Sequence, residues 1–180
     1  EKLPWLRSRE GDRVLNGWAW IGLGGNLGNV LAGFRNAHNA LELLSESKPV
    51  LSPIYESAPW GETAQPAFLN QVAGIIPKYD PLKTLASLLQ IERDNGRVRA
   101  RQNRWGERTL DLDILSWPGV TSDGPELHLP HPRLKVRRFV LAPWADIAPN
   151  VIPFGLEQTV AELLATCPDD GYVKCLDSFS

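Results

Sequence analysis

The sequence predicts an α+β fold: a ferredoxin-like split βαβ sheet, largely antiparallel, covered by helices on both faces. Three observations carry that expectation. Strand and helix periodicities alternate in the order β-α-β-β-α-β. The two middle strand runs are joined by a loop whose shortness favours antiparallel neighbours. A chain of 180 residues, 43% hydrophobic and 22% charged, is also long enough to bury a sizeable core.

The first strand runs from Trp18 to Leu23, aromatic and β-branched, and ends in the tight-turn sequence Gly24-Gly25-Asn26. Leu31, Phe34, Ala37, His38, Leu41 and Leu44 then recur at helical spacing and predict a helix over 30–45, with His38 a structural member of its apolar face. Val50–Ser57 and Phe68–Ile76 read as strands around a Pro59/Gly61/Pro66 loop. Asp80-Pro81 opens a second helix with Leu82, Leu85, Leu88, Leu89 and Ile91 on its apolar side, and Asn95-Gly96 closes it. After an arginine-rich loop, Thr109–Trp117 reads as a strand. The proline-rich remainder carries helical stretches near 136–146 and 158–166. Residues 1–16 read as a leader or linker of unknown role and 17–180 as a single domain.

Nineteen Lys and Arg against 21 Asp and Glu leave a formal charge of -2, which argues against bulk nucleic-acid or membrane-surface binding. No apolar run approaches the roughly 20 residues of a membrane span. Cys167 and Cys175 have neither CxxC nor metal spacing, read as reduced thiols, and make the cytoplasm the expected compartment.

Charge placement is more informative than charge balance. Arg93, Arg97, Arg99, Arg101, Arg104 and Arg108 place six arginines in 16 residues, and Arg133, Lys135, Arg137 and Arg138 place four basic residues in six. A charge run by itself is ordinarily a solvated loop. Guanidinium forks nevertheless suit phosphate and repel one another without an anion. In the strand that the arginine loop enters, Asp111 and Asp113 share one face at a spacing of ~6.6 Å while Leu110, Leu112 and Ile114 enter the core. A bare Asp-x-Asp reads as a solvent-facing edge strand. Beside the arginines, the pair instead points to a hard divalent cation and a nucleoside triphosphate. Neither G-x-G-x-x-G nor a P-loop occurs, so side chains and metal must hold the nucleotide. Pro59-Trp60-Gly61, Phe68-Leu69-Asn70 and Arg138-Phe139 offer aromatic faces and one amide for a flat heterocycle, against the plainer reading of core aromatics and a turn Asn. His131, between two prolines, could contact phosphate, although most loop histidines do nothing of the kind.

Together these motifs resemble one family. Arg104-Trp105-Gly106-Glu107-Arg108-Thr109-Leu110-Asp111-Leu112-Asp113-Ile114-Leu115 is similar to the signature of the 6-hydroxymethyl-7,8-dihydropterin pyrophosphokinases of folate biosynthesis. Gly24-Gly25-Asn26-Leu27, Phe68-Leu69-Asn70, Ile91-Glu92 through Gly96-Arg97, and Pro130-His131-Pro132-Arg133 through Arg137-Arg138-Phe139 resemble further family motifs, in the family's order. Gly25 stands where the family usually has Ser, and Phe68 where some members have Tyr.

The resemblance implies Mg-dependent transfer of pyrophosphate from ATP to the pterin hydroxymethyl group, leaving AMP. It implies two Mg²⁺ ions on Asp111 and Asp113, and a pterin pocket of Ser57, Ala58, Trp60, Phe68, Asn70 and Phe139. Leu89, Glu92, Arg99, Arg104, Trp105, Arg108, Ile114, His128, His131 and Arg137 would surround ATP. Arg97, Arg108, Asp111 and Asp113 would be the catalytic residues, with Arg97 in a loop that closes over ATP. The expected partners are ATP and the pterin, with no nucleic acid and no membrane, and the N-terminus leaves room for fusion to another folate-pathway domain. Two other readings remain at this stage. An RNA-binding module on the same kind of sheet leaves the Asp pair unexplained. A nucleotidyltransferase shares paired aspartates but releases pyrophosphate.

Overall fold

The computed structural model of the chain describes residues 17–59, 64–96 and 109–176. The elements are β1 (Ala19–Gly25), α1 (Val30–Leu44), β2 (Val50–Leu51), β3 (Ile54–Ser57), β4 (Phe68–Ile75), α2 (Pro81–Asp94) and β5 (Asp111–Ser116). A hairpin of β6 (Ser122–Asp123) and β7 (His128–Leu129) follows, then a 3-10 turn at Leu134–Val136, α3 (Arg138–Ile147), α4 (Val160–Ala165) and β8 (Val173–Leu176). The main sheet runs β5-β1-β4-β3-β8, with β2 also on β4, and every pairing is antiparallel. With β2 and β3 taken as one interrupted strand, this is the predicted split βαβ arrangement.

Helix starts follow local chemistry. Asn29 accepts from the Ala32 N–H to cap α1, and Asp80 accepts from the Lys83 N–H to cap α2, with Pro81 in the first turn where its missing N–H costs nothing. α2 ends at Asn95, followed by Gly96 at φ +86°, a left-handed residue of the kind that closes helices. Thr159 and Glu162 form a reciprocal capping box on α4.

The period of two along the strands sorts side chains onto two faces. One face, with Ala19, Ile21, Leu23, Ala73, Ile75, Leu112 and Ile114, packs against Phe34, Ala37, Leu41 and Leu88 of α1 and α2. The other, with Trp20, Val72 and Leu115, packs against Leu134, Val140, Leu141 and Trp144 around α3, and against Val160 and Leu163 of α4. Trp20 lies directly over Gly74, its cross-strand partner; a Cβ there would stand 2.8 Å from the indole, so no larger residue fits without moving it.

Three differences from the sequence expectation have physical causes. The predicted strand 50–57 is broken at Ser52-Pro53: proline has no N–H for the ladder, and the Ser52 hydroxyl accepts from the Val72 N–H instead. One extra residue enters there, since Leu51 faces Ala73 but Tyr55 faces Asn70. The buried stripe of α2 runs through Thr84, Leu88 and Glu92 rather than the leucine face, leaving Leu82 54% exposed. β8 was not expected; its four residues are too few for periodicity, and it exists by pairing with β3. His38 does take a structural place, with Nε2 2.6 Å from Oε1 of the buried Gln71.

Candidate active site

Asp111 and Asp113 lie on β5 with both side chains half-buried, while Leu110, Leu112 and Ile114 are buried, as the alternation of a strand demands. They face the α3 side of the sheet. Opposite them on β1 stand Gly24 and Gly22. These glycines leave a floor without side chains between the acidic strand and β4. Beyond Gly24 the register places Asn70, and beyond Asn70 it places Tyr55.

Two side chains approach the Asp113 carboxylate. Arg137 Nη1 is 3.7 Å and His131 Nε2 4.0 Å from the same oxygen, Asp113 Oδ2. Arg137 sits at the N-terminal boundary of α3, and His131 is held by its N–H donating to Leu115 O at 2.8 Å. His131 Nδ1 accepts from the Arg133 N–H at 3.1 Å, so in the neutral ring the proton is on Nε2, facing Asp113. Burial, reinforced by Arg137, pushes the His131 pKa down to about 4, against an upward pull from Asp111. The ring is therefore a neutral N–H donor near pH 7. Burial also lowers the Arg137 pKa while Asp113 opposes it, and a guanidinium in that position keeps its charge.

On the other side of the glycine floor, Asn70 donates from Nδ2 to Ser57 Oγ at 2.8 Å, both residues being buried. That bond fixes the amide orientation. Phe68, two residues before Asn70 and opposite Ser57, is half-buried on the same face. Phe139, in the first turn of α3, has the Arg137 guanidinium carbon 5.7 Å from its ring centre. Asp111, Asp113, Asn70, Phe68 and Ser57 thus lie on one face of the sheet with Gly24 between Asp111 and Asn70, while His131 and Arg137 approach Asp113 and Arg137 in turn lies near Phe139. Ala58 is exposed just past β3.

The remaining expected residues divide. Glu92 is buried, and its Oε1 accepts from the Leu112 N–H at 2.9 Å, bracing β5 from behind. Ile114 points into the α1/α2 core, so whatever it offers a ligand comes from the backbone of an edge strand. Leu89 is half-buried on α2 and His128 exposed on β7. Trp60, Arg97, Arg99, Arg101, Arg104, Trp105 and Arg108 lie outside the described residues. Asn26 adds a contact not foreseen at this level. Its buried amide donates to Gln65 Oε1 at 3.2 Å and Pro66 O at 3.1 Å, tying the β1–α1 turn to the chain leading into β4.

Among the described residues no group of three or more His, Cys, Asp and Glu side chains is placed to hold a metal by itself. Two hard carboxylates above a glycine floor do suit Mg²⁺, which usually keeps waters and binds one or two carboxylates together with substrate phosphates. A Cβ on Gly24 would project to within 3.7 Å of Asn70 Oδ1, into the space between the acidic and amide sides.

Known proteins give a consistent picture. The family model described as 7,8-dihydro-6-hydroxymethylpterin-pyrophosphokinase matches residues 20–149. The chain is 43% identical over 154 residues to the 2-amino-4-hydroxy-6-hydroxymethyldihydropteridine pyrophosphokinase of Pseudomonas aeruginosa, covering 84% of this chain and 93% of that protein. It is 38% identical over 157 residues to the Haemophilus influenzae protein of the same name, covering 87% of this chain and 96% of the relative. Among solved structures, the wild-type Plasmodium falciparum HPPK-DHPS with pteroate superposes with a TM-score of 0.64 at 14% identity, over 82% of this chain. That likeness shows the fold, and the chain spans 44% of the length of that larger protein.

Proposed function

The chain belongs to the 7,8-dihydro-6-hydroxymethylpterin-pyrophosphokinase family, and from that premise we propose that it transfers pyrophosphate from ATP to 6-hydroxymethyl-7,8-dihydropterin in folate biosynthesis. The observation that carries the reading is the convergence of Arg137 and His131 on Asp113, beside Asp111 and across a glycine floor from a fixed amide. An anion-binding side and a heterocycle-binding side face each other there.

In the proposed reaction the pterin hydroxyl oxygen attacks the β-phosphorus of ATP. A new P–O bond forms, the bond between the β-phosphorus and the α,β-bridging oxygen breaks, AMP departs with that oxygen, and the hydroxyl proton passes to solvent. Asn70 and Ser57 present donor and acceptor edges to the pterin, and Phe68, Phe139 and Trp60 supply faces for stacking. Arg137, with Arg97, Arg99, Arg104 and Arg108, takes phosphate oxygens through charge-assisted bonds, and His131 donates its Nε2 proton without adding charge. Leu89, Trp105, Ile114 and His128 complete the nucleotide side. Asp111 and Asp113 would hold two Mg²⁺ ions; bound there, the metal would neutralise phosphate charge. Free thiols at Cys167 and Cys175 fit a cytoplasmic setting, and no described helix is long and apolar enough to cross a membrane.

Nucleotide chromatography after incubation with ATP, Mg²⁺ and the hydroxymethyl dihydropterin tests the proposal. AMP and pterin diphosphate in one-to-one ratio support it. ADP would mean an ordinary kinase, free pyrophosphate a nucleotidyltransferase, and AMP formed equally fast without pterin would defeat the acceptor assignment.

A further inference from the structure

Arg137 stands at the start of α3 and Phe139 in its first turn, yet no side chain of the helix or its cap residue caps it. Arg137 stands at the cap position without a side-chain cap bond. The missing acceptor comes from far along the chain: Asp169, between α4 and β8, takes the Arg138 backbone N–H on Oδ2 at 3.1 Å. Its backbone oxygen accepts from Arg138 Nε at 2.7 Å, and its Oδ1 accepts from the Gly171 N–H at 2.8 Å. Asp169 is thus bound on three sides, and Arg138 is held by both main chain and side chain. Gly171 is part of the device, because a Cβ there would lie 2.8 Å from Asp169 Oδ1. The other end of α3 is tied by Asp146, which accepts from the Tyr55 hydroxyl of β3. A helix fixed at both ends carries its first-turn side chains in one place.

We propose that Asp169 is a positioning residue for catalysis: by capping α3 at Arg138 it sets the placement of Arg137 on one side of the capped amide and Phe139 on the other. It touches neither the Asp pair's partners nor the acidic strand in any described hydrogen bond; it acts through α3. An acceptor at a helix start also opposes its partial positive charge, so the carboxylate is favoured there electrostatically. The proposal rests on the reading of Phe139 as a pterin-stacking residue, and the experiment separates the two.

Steady-state kinetics would be run on the full chain for Asp169→Ala, Asp169→Asn, Gly171→Ala, Phe139→Ala and the Asp169→Ala/Phe139→Ala pair, with amide exchange at Arg138 read in the ligand-free proteins. Asp169→Ala should raise the pterin KM several-fold with a smaller change in kcat, and should speed Arg138 exchange as the uncapped first turn frays. Asp169→Asn keeps an acceptor and should recover most of the loss, while Gly171→Ala, which displaces the carboxylate without deleting it, should give a milder defect of the same kind. In the Phe139→Ala background the further effect of Asp169→Ala should shrink below about twofold, because a positioning residue acts through what it positions. Full additivity in the pair, an unchanged pterin KM in Asp169→Ala, or unchanged Arg138 exchange would each overturn the proposal. A Phe139→Ala enzyme with normal pterin KM would instead show the pocket reading to be wrong, whatever Arg138 exchange reports about the cap.

Discussion

Glu92 Oε1 accepts the Leu112 N–H at 2.9 Å, so a buried carboxylate on α2 grips the backbone residue that lies between Asp111 and Asp113. The Asp pair is therefore placed by the sheet register with Gly24 and Gly22 on one side and by this grip on the other. Losing the acceptor leaves a buried N–H unpaired, at a cost on the order of 1–3 kcal/mol. We predict that Glu92→Ala lowers the melting temperature by several degrees, about 2–4 °C per kcal/mol for a chain of this size. Glu92→Gln, which keeps an acceptor oxygen, should lose much less. Equal melting of the two variants would remove the grip from the account.

Asp111→Ala and Asp113→Ala should each abolish turnover while shifting the melting temperature little. Both carboxylates are half-exposed, and the Asp113–Arg137 pair, at 3.7 Å with the aspartate 39% exposed, contributes at most about 1 kcal/mol once solvent screening is counted. Activity and stability should decouple. An alanine variant with near-normal rate at saturating Mg²⁺ would contradict the metal assignment.

Much of this site is written in short-range pattern. The period of two along 109–117 predicts that Asp111 and Asp113 share one face, and both lie on the α3 side of β5. Pairings over long sequence separations left no such trace. Tyr55 meets Asp146 across 91 residues and Arg138 meets Asp169 across 31, and the strand, helix and charge patterns around these residues name none of those partners. The resemblance places Glu92 beside ATP, and the local pattern places it at a helix end; neither shows its bond to Leu112. Its place on the Leu88 stripe, four residues on, marks it as buried only when the strand behind it is known to have an N–H to offer. β8 is invisible for a similar reason, because its stability comes from β3.

Arg97→Ala and Arg108→Ala should slow the reaction without changing its products, because charge-assisted contacts to the transferred group lower the barrier but do not select the phosphorus attacked. Rates reduced on the order of 10²-fold with AMP still the nucleotide product are the expected result. A switch to ADP in either variant would show that these arginines choose the bond that breaks.

Phe139→Ala should weaken pterin binding far more than ATP binding in calorimetric titrations, since an aromatic face addresses the heterocycle. Asn70→Ala should do the same, with an added stability loss of about 1–3 kcal/mol because the buried Ser57 hydroxyl loses its donor. Equal losses for both ligands in Phe139→Ala would point to a general structural defect.

His131 makes stability depend on pH in a stated direction. Burial, with Arg137, Arg133 and His128 adding to it, holds the ring at a pKa of about 4, whereas an exposed histidine titrates near 6.5. Between those values the unfolded chain binds a proton that the folded chain refuses, so stability is complete above about pH 6.5, falls as pH is lowered toward 4, and loses nothing further from this group below that. The full gap corresponds to about 3 kcal/mol. Urea midpoints of the wild type and His131→Gln, compared between pH 7 and pH 4, should therefore converge as the medium is acidified, because glutamine keeps a donor but cannot be protonated there. In the same window, the wild-type rate should show no inflection near pH 6.5 traceable to His131, since the folded ring stays a neutral donor through it. Parallel midpoints in the two proteins from pH 7 to pH 4 would mean that His131 titrates as an exposed ring, and the neutral-donor role at the phosphate side would fall with it.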